Sequence, residues 1–126
     1  MADDGGEGWG EPVAGVAKVE ILGKASEDGP NAATFAINGE DHTLGNALQY
    51  VLNKNPAVEF TGYTVPHPSE MRLHLRVQTK GSLTAVDALR EALTMLRDMS
   101  DHVRDTFEAA AAEHEKVHPP PPRPRA

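Results

Sequence analysis

One third of the way along, the chain reads Glu40-Asp41-His42-Thr43-Leu44-Gly45-Asn46-Ala47-Leu48-Gln49-Tyr50-Val51-Leu52. A polar turn leads here into a segment whose apolar residues recur at helical spacing, namely Leu44, Ala47, Leu48, Val51 and Leu52. At about 100° per residue these side chains cover an arc of roughly 140°, with Tyr50 outside it. Such an arc is wide for a short helix that rests on one sheet. It predicts two apolar contacts, one with the protein's own core and one with a further surface.

Both ends of this helix carry sequence signals. Asp41 or Thr43 can cap its start by accepting a hydrogen bond from a free backbone N–H of the first turn. Pro56 ends the helix, because proline disfavours helical geometry in the residue before it, so we predict a helix over residues 43–53. Gly45 lies in the first turn, where glycine costs up to about 1 kcal/mol relative to alanine. This cost indicates that another backbone approaches closely.

Segments rich in β-branched and aromatic residues predict four strands around this helix, at residues 16–22, 33–37, 58–65 and 71–78. The fourth strand alternates strictly. One face carries Met71, Leu73, Leu75 and Val77, and the other carries Arg72, His74, Arg76 and Gln78. We therefore expect this strand to bury one face and to leave the other in water.

A long helix is predicted after the fourth strand. Thr84, with Asp87 three residues on, resembles a capping box, and neither glycine nor proline interrupts the chain before Pro119. A heptad-like apolar pattern follows, made of Val86, Leu89, Leu93, Leu96, Val103 and Phe107 and widened by Ala92, Met95, Met99 and Ala110. About half of the helix circumference is thus apolar, which is more than one small sheet needs, although a core that uses both helices fully is the plain alternative.

Composition limits the domain organisation and the class of protein. The chain has 126 residues, which allows one domain, predicted at residues 16–115 between a disordered acidic tail (1–15) and a Pro-rich tail (116–126). The net charge of −7 disfavours direct nucleic-acid binding. The chain contains no cysteine, and no apolar run approaches the roughly 20 residues of a membrane helix. We expect a soluble intracellular protein that makes no contact with a membrane.

Three possible chemical sites have simpler explanations. The six histidines favour solvated surface side chains over a metal site, and the spacing of His114 and His118 falls in what we expect to be a fraying helix end. Asp41 beside His42 and Thr43 suits helix capping better than a nucleophile with its base. The turn at residues 80–82 lacks the longer glycine loop of a phosphate site. We predict no catalytic residue, no metal site and no cofactor.

The motifs together resemble the small α-like subunit of multisubunit RNA polymerases, the family that includes archaeal subunit L. The resemblance rests on residues 40–48, on Asn55-Pro56-Ala57-Val58-Glu59-Phe60-Thr61-Gly62-Tyr63, on Pro66-His67-Pro68-Ser69-Glu70 and on Arg76-Val77-Gln78-Thr79. It runs in register over residues 16–115. Its motif residues are Asp41, His42, Thr43, Asn46, Gly62, Tyr63, His67 and Pro68. The version shared by RNA polymerases I and III is more similar than that of polymerase II.

This resemblance implies an α+β fold, in which a four-stranded antiparallel sheet carries one short and one long helix in the order β-β-α-β-β-α. It also implies a heterodimer with the larger α-like subunit, which serves as a platform for the second-largest catalytic subunit. The expected location is the nucleus, in both nucleolus and nucleoplasm.

The first hypothesis is therefore a non-catalytic assembly subunit. Its predicted partner-binding residues are Leu44, Gly45, Leu48, Val51, Leu52, Leu89, Leu93, Leu96, Val103 and Phe107, divided between core and interface. The alternative is a free-standing homodimeric α+β module that binds a small ligand at the turn of residues 80–84. A small enzyme using Asp41 or His42 is a distant third.

Overall fold

The computed structural model describes residues 15–23 and 29–125. It contains four strands and two helices: β1 (Val19–Leu22), β2 (Ala32–Asn38), α1 (His42–Asn53), β3 (Val58–Thr64), β4 (Arg72–Thr79) and α2 (Ala85–Val117). The predicted order β-β-α-β-β-α is confirmed. Residues 1–14, nearly all of the predicted acidic tail, lie outside the described residues. Residues 118–125 follow α2 without regular secondary structure.

The four strands form one antiparallel sheet in the order β1-β2-β4-β3. At its centre, Phe35 of β2 pairs with Leu75 of β4. Strand β1 is shorter than predicted and starts at Val19, because β2 reaches a turn at Gly39, whose φ is +75°. The N–H of Asn38 still donates to the carbonyl of Lys18 at 2.8 Å, and the pairing ends there.

The alternation of β4 holds on its buried face, with one difference at each end. Leu73, Leu75 and Val77 have no exposed surface, as predicted. Met71 was expected to join them, but it precedes the strand and its side chain is 50% exposed. Its carbonyl accepts a hydrogen bond from the N–H of Gly39, which extends the pairing of β2 with β4 by one residue past the strand ends. At the other end of the strand, the buried face is completed by Thr79.

The opposite face of β4 is less exposed to solvent than the sequence predicts. Arg72, His74, Arg76 and Gln78 are all half-buried. Arg72 lies 3.6 Å from the Glu20 carboxylate of β1, and Arg76 donates to Thr34 and Gln78. These long side chains lie along the sheet and cover one another, so this face is half-buried without any helix on it.

Both helices pack on the other face of the sheet and enclose the core. The core is composed of Phe35, Ile37, Leu48, Val51, Leu52, Leu73, Leu75, Val77, Ala85, Ala88, Leu89 and Ala92. Within α2, the buried residues end at Ala92, and the half-buried Leu96 is the last side chain that packs against the core. The 21 residues of α2 after Leu96 extend about 30 Å at 1.5 Å per residue.

The direction of α2 is fixed by hydrogen bonds at its start. The Thr84 side chain accepts from the N–H of Asp87 at 3.1 Å, which confirms the predicted cap. Asn31 donates to the Thr79 hydroxyl and to the carbonyls of Gly81 and Leu83. The beginning of β2 is thereby tied to the turn that precedes α2, and the projecting helix starts from a fixed base.

Candidate partner interface

Asp41 is the residue that caps α1. Its Oδ1 accepts from the backbone N–H of Thr43 at 2.9 Å, and this hydrogen bond lowers the pKa of the Asp41 carboxyl below its usual value. The neighbouring His42 is turned away from Asp41, and its Nδ1 lies 3.1 Å from the hydroxyl of Tyr63. Both side chains thus serve the start of the helix. Their contacts match the capping interpretation and leave no nucleophile and base facing each other.

Gly45 is required by a contact within the chain. A Cβ placed on this residue would lie 2.6 Å from a carbon of the Tyr63 ring. Our prediction that another backbone approaches Gly45 is therefore wrong, since the close neighbour is the aromatic ring of Tyr63 on β3. His42 completes this arrangement by packing edge-on against the same ring, with 5.6 Å between ring centroids. The first turn of α1 thus packs closely against β3.

The ten predicted partner-binding residues separate into three groups by exposure. Five are buried in the chain's own fold: Gly45, Leu48, Val51, Leu52 and Leu89. Leu44 and Leu96 are half-buried and pack against the core. Leu93, Val103 and Phe107 are exposed. The buried group has almost no exposed surface, so of the ten predicted residues mainly the exposed group is accessible from outside the chain.

The projecting part of α2 carries a continuous apolar seam. We define the α2 seam as Met99, Val103, Phe107, Ala110 and Val117, which recur at steps of three, four or seven residues. Val103 is 68% exposed, Phe107 71% and Val117 70%. Charged residues occupy the other side, where Arg104 lies 3.4 Å from Asp101 and Lys116 lies 3.2 Å from Glu113. An exposed apolar face of this kind is typical of an interaction surface.

An open groove between the two helices continues this apolar surface. It has a volume of about 1060 Å³, and its lining includes Val51, Leu83, Ala92, Met95, Met99 and His102. A smaller cleft of about 490 Å³ lies beside Tyr50, Asn46 and Leu96. The predicted interface omitted Met95, Met99 and Tyr50, which are 50%, 43% and 57% exposed. The two methionines could be found from the sequence, because they lie within the apolar band of the long helix.

The remaining motif residues lie apart from the α2 seam. Gly62 is half-buried on β3, and a Cβ there would lie 3.4 Å from Phe60. His67 and Pro68 are exposed in the loop between β3 and β4, where the carbonyl of His67 accepts from the N–H of Glu70. These residues shape the sheet and its loops, while the exposed Asn46 lines the smaller cleft.

The described part of the chain gives little indication of a metal site, a phosphate site or a membrane-spanning helix. Within residues 15–23 and 29–125, no group of three or more His, Cys, Asp or Glu residues is placed to hold a metal ion. The N–H of Lys80 is already bonded to the carbonyl of Ala57, and Gly81 accepts from Asn31, so the turn before α2 is used internally. Neither described helix combines the length and the apolar character that crossing a membrane requires.

Comparison with known proteins places this architecture in a family. The model of the RNA polymerase Rpb3/Rpb11 dimerisation domain matches residues 32–106. The chain is 52% identical over 99 residues to DNA-directed RNA polymerases I and III subunit rpc19 of Dictyostelium discoideum, covering 79% of this chain and 82% of that protein. It is 57% identical over 67 residues to a probable RNA polymerase II subunit RPB11 of Caenorhabditis briggsae, covering 53% of this chain and 55% of that one.

A solved structure has the same fold. RNA polymerase subunit L of Thermoplasma acidophilum superposes with a TM-score of 0.64 at 20% sequence identity, over 78% of this chain and 92% of that one. The sheet and the two helices are thus shared in spite of low identity. The family model spans more than half of the chain, from β2 to the middle of α2. This chain therefore belongs to the RNA polymerase Rpb3/Rpb11 dimerisation domain family.

Proposed function

We propose that this chain is a structural subunit shared by RNA polymerases I and III, in which it pairs with the larger α-like subunit. The relative named for polymerases I and III aligns over 99 residues, whereas the relative named for polymerase II aligns over only 67. The alignment with the polymerase I and III relative covers 79% of this chain, against 53% for the polymerase II relative. It favours the polymerase I and III assignment.

The observation that carries the pairing is the α2 seam. Twenty-one residues of helix after Leu96 leave the domain with no buried side chain, yet their apolar residues keep helical spacing. A helix of this kind is stabilised mostly by packing its apolar face, and residues 15–23 and 29–125 provide no such packing for this part of α2. A second α-like subunit with its own helices supplies the missing surface.

The free energy of burying apolar side chains favours pairing through the α2 seam. Burying a large apolar side chain contributes about 1.5–3 kcal/mol, so Val103 and Phe107 together contribute several kcal/mol when a partner covers them. The methionines of the groove extend the same apolar surface toward α1. Their flexible side chains adapt to the shape of an opposing helix.

The heterodimer serves as a platform on which the second-largest catalytic subunit is assembled. The chain itself is non-catalytic: Asp41 and His42 are engaged in capping α1 and in holding Tyr63, and the transcription reaction belongs to other subunits. Its place of work is the nucleus, in both nucleolus and nucleoplasm.

Co-purification of variants tests the pairing. Phe107→Asp places a charge in the α2 seam, and we expect it to abolish recovery of the larger α-like subunit while the chain itself stays folded. Ala112→Asp is the matched control, because it adds the same charge to an exposed position about 140° around the helix. Leu48→Asp does not serve here, since Leu48 is buried and its replacement would unfold the chain.

Three outcomes decide the assignment. Normal recovery of the larger α-like subunit with Phe107→Asp would remove the α2 seam from the interface. Recovery of only the largest polymerase II subunits from nuclear extract would contradict the assignment to polymerases I and III. A stable homodimer of the chain alone, measured by size-exclusion chromatography with light scattering, would favour the free-standing module instead.

A further inference from the structure

Two histidines lie at the end of α2, and His114 falls between Ala110 and Val117 on the face that carries the α2 seam. The sequence reads His114-Glu115-Lys116-Val117-His118, which places the histidines four residues apart. We expected this segment to fray, but α2 continues through Val117. The N–H of His118 donates to the carbonyl of His114 at 2.8 Å, so the helical spacing extends to His118 itself. The two imidazoles therefore lie on one side of an ordered helix end.

The rings are already side by side. Their centroids are 4.5 Å apart and their planes differ by 16°. Zinc–imidazole bonds are about 2.0–2.1 Å long, so two nitrogens that share one ion lie about 3 Å apart. The two ring planes are nearly parallel, whereas an ion lies in the plane of each imidazole that binds it, so both exposed side chains must rotate before they share an ion. The helix backbone between them is already ordered, so binding requires side-chain rotations only.

The surroundings favour a cation. The carbonyls of the last helical turn carry partial negative charge, which stabilises positive charge at this end. Glu113 and Glu115 flank His114, and the only nearby lysine, Lys116, is paired with Glu113 at 3.2 Å. Pro119 and the three prolines after it hold the following chain extended and keep the helix from continuing past His118.

We propose that His114 and His118 form a two-ligand site for a divalent transition-metal cation of the class that prefers imidazole, such as Zn²⁺, Ni²⁺ or Cu²⁺. Spacing of four residues on a helix is the arrangement by which the sequence His-Glu-x-x-His holds zinc in metalloproteases. In that setting a third protein ligand completes the site. Here the described residues supply no third protein ligand, so water molecules fill the remaining coordination positions of the ion. We expect the site to bind metal without catalysing hydrolysis. A bound ion would join the last turn of α2 and hold it closed.

Zn²⁺ titration of the full chain, prepared without a histidine tag, tests this site by isothermal calorimetry. We expect one ion per chain, bound more weakly than at a four-ligand structural zinc site. His114→Ala and His118→Ala should each weaken binding by at least about tenfold, since each removes one of two ligands. His102→Ala is the matched control, because His102 is exposed on the same helix and has no histidine four residues away. It should bind as the wild type does.

A second variant separates geometry from the mere number of histidines. Combining His118→Ala with Lys116→His keeps two histidines but spaces them two residues apart, on different sides of the helix. We expect this variant to lose binding, with an unchanged circular dichroism spectrum. Wild-type affinity in this variant, or in either single alanine variant, would overturn the proposal. So would a wild-type chain that fails to bind Zn²⁺ at millimolar concentration.

Discussion

Replacing Gly45 by alanine should destabilise this protein, although alanine is the better helix former. The added Cβ would lie 2.6, 2.7 and 2.9 Å from three carbons of the Tyr63 ring. Carbon atoms in favourable contact are about 3.5–4.0 Å apart, so the ring or the first turn of α1 must move by about 1 Å. The ring is not free to move, because its hydroxyl lies 3.1 Å from the His42 Nδ1.

The magnitude follows from two opposing effects. Removing a glycine from a helix contributes up to about 1 kcal/mol in favour of the variant. Overpacking costs about 1–3 kcal/mol when neighbouring groups cannot give way. With the full helix gain subtracted, the net loss is up to about 2 kcal/mol, and each kcal/mol lowers the Tm of a domain this size by about 4–8 °C. We therefore expect the Tm to fall by up to roughly 15 °C.

Thermal unfolding followed by circular dichroism measures this effect in a double-mutant cycle. The four chains are the wild type, Gly45→Ala, Tyr63→Leu and the double variant. Once the smaller leucine replaces the ring, the added methyl group has room, so Gly45→Ala should become neutral or stabilising. A higher Tm for Gly45→Ala in the wild-type background would refute the steric explanation of this glycine.

Two further predictions concern polar groups in the sheet. Thr61→Val should stabilise the chain by about 1 kcal/mol in urea unfolding, because the Thr61 hydroxyl is buried and finds no hydrogen-bond partner in the described part of the chain. A lower urea midpoint for this variant would show that the hydroxyl is in fact satisfied. Burial, reinforced by Arg72 and then His67, lowers the pKa of His74 below 6.5, so the unfolded chain takes up a proton before the folded chain does. The free energy of unfolding should therefore keep its full His74 contribution above about pH 6.5 and should lose it as the pH drops through the folded-state pKa of His74. His74→Gln should reduce this pH dependence of stability. Equal pH profiles for the wild type and His74→Gln would contradict this prediction.

Local signals in the sequence were sufficient for much of the fold. The cap at Asp41, the stop before Pro56 and the cap at Thr84 act over one helical turn, and all three appear in the structure. The period of two in β4 likewise identifies its buried face. The ordered motifs around Gly62 and His67 identified the family, because such a series is specific even where each residue only shapes a loop or a strand.

The sequence does not identify contacts between residues that are far apart along the chain. Gly45 signalled a close approach, but only the fold shows that the neighbour is Tyr63, eighteen residues away on β3. The polar face of β4 was expected in water, and cross-strand partners such as Glu20 and Thr34 half-bury it. The strand order and these partners depend on pairings that no local pattern encodes.

The division between buried and exposed apolar residues was also decided by the tertiary structure. Leu89 and Phe107 belong to the same apolar band of α2, and periodicity treats them alike. The sheet extends only as far as the first turns of that helix, so Leu89 is 5% exposed and Phe107 is 71% exposed. The sequence by itself determined which face of each helix is apolar. Only the three-dimensional arrangement decided which part of that face the chain buries and which part stays exposed.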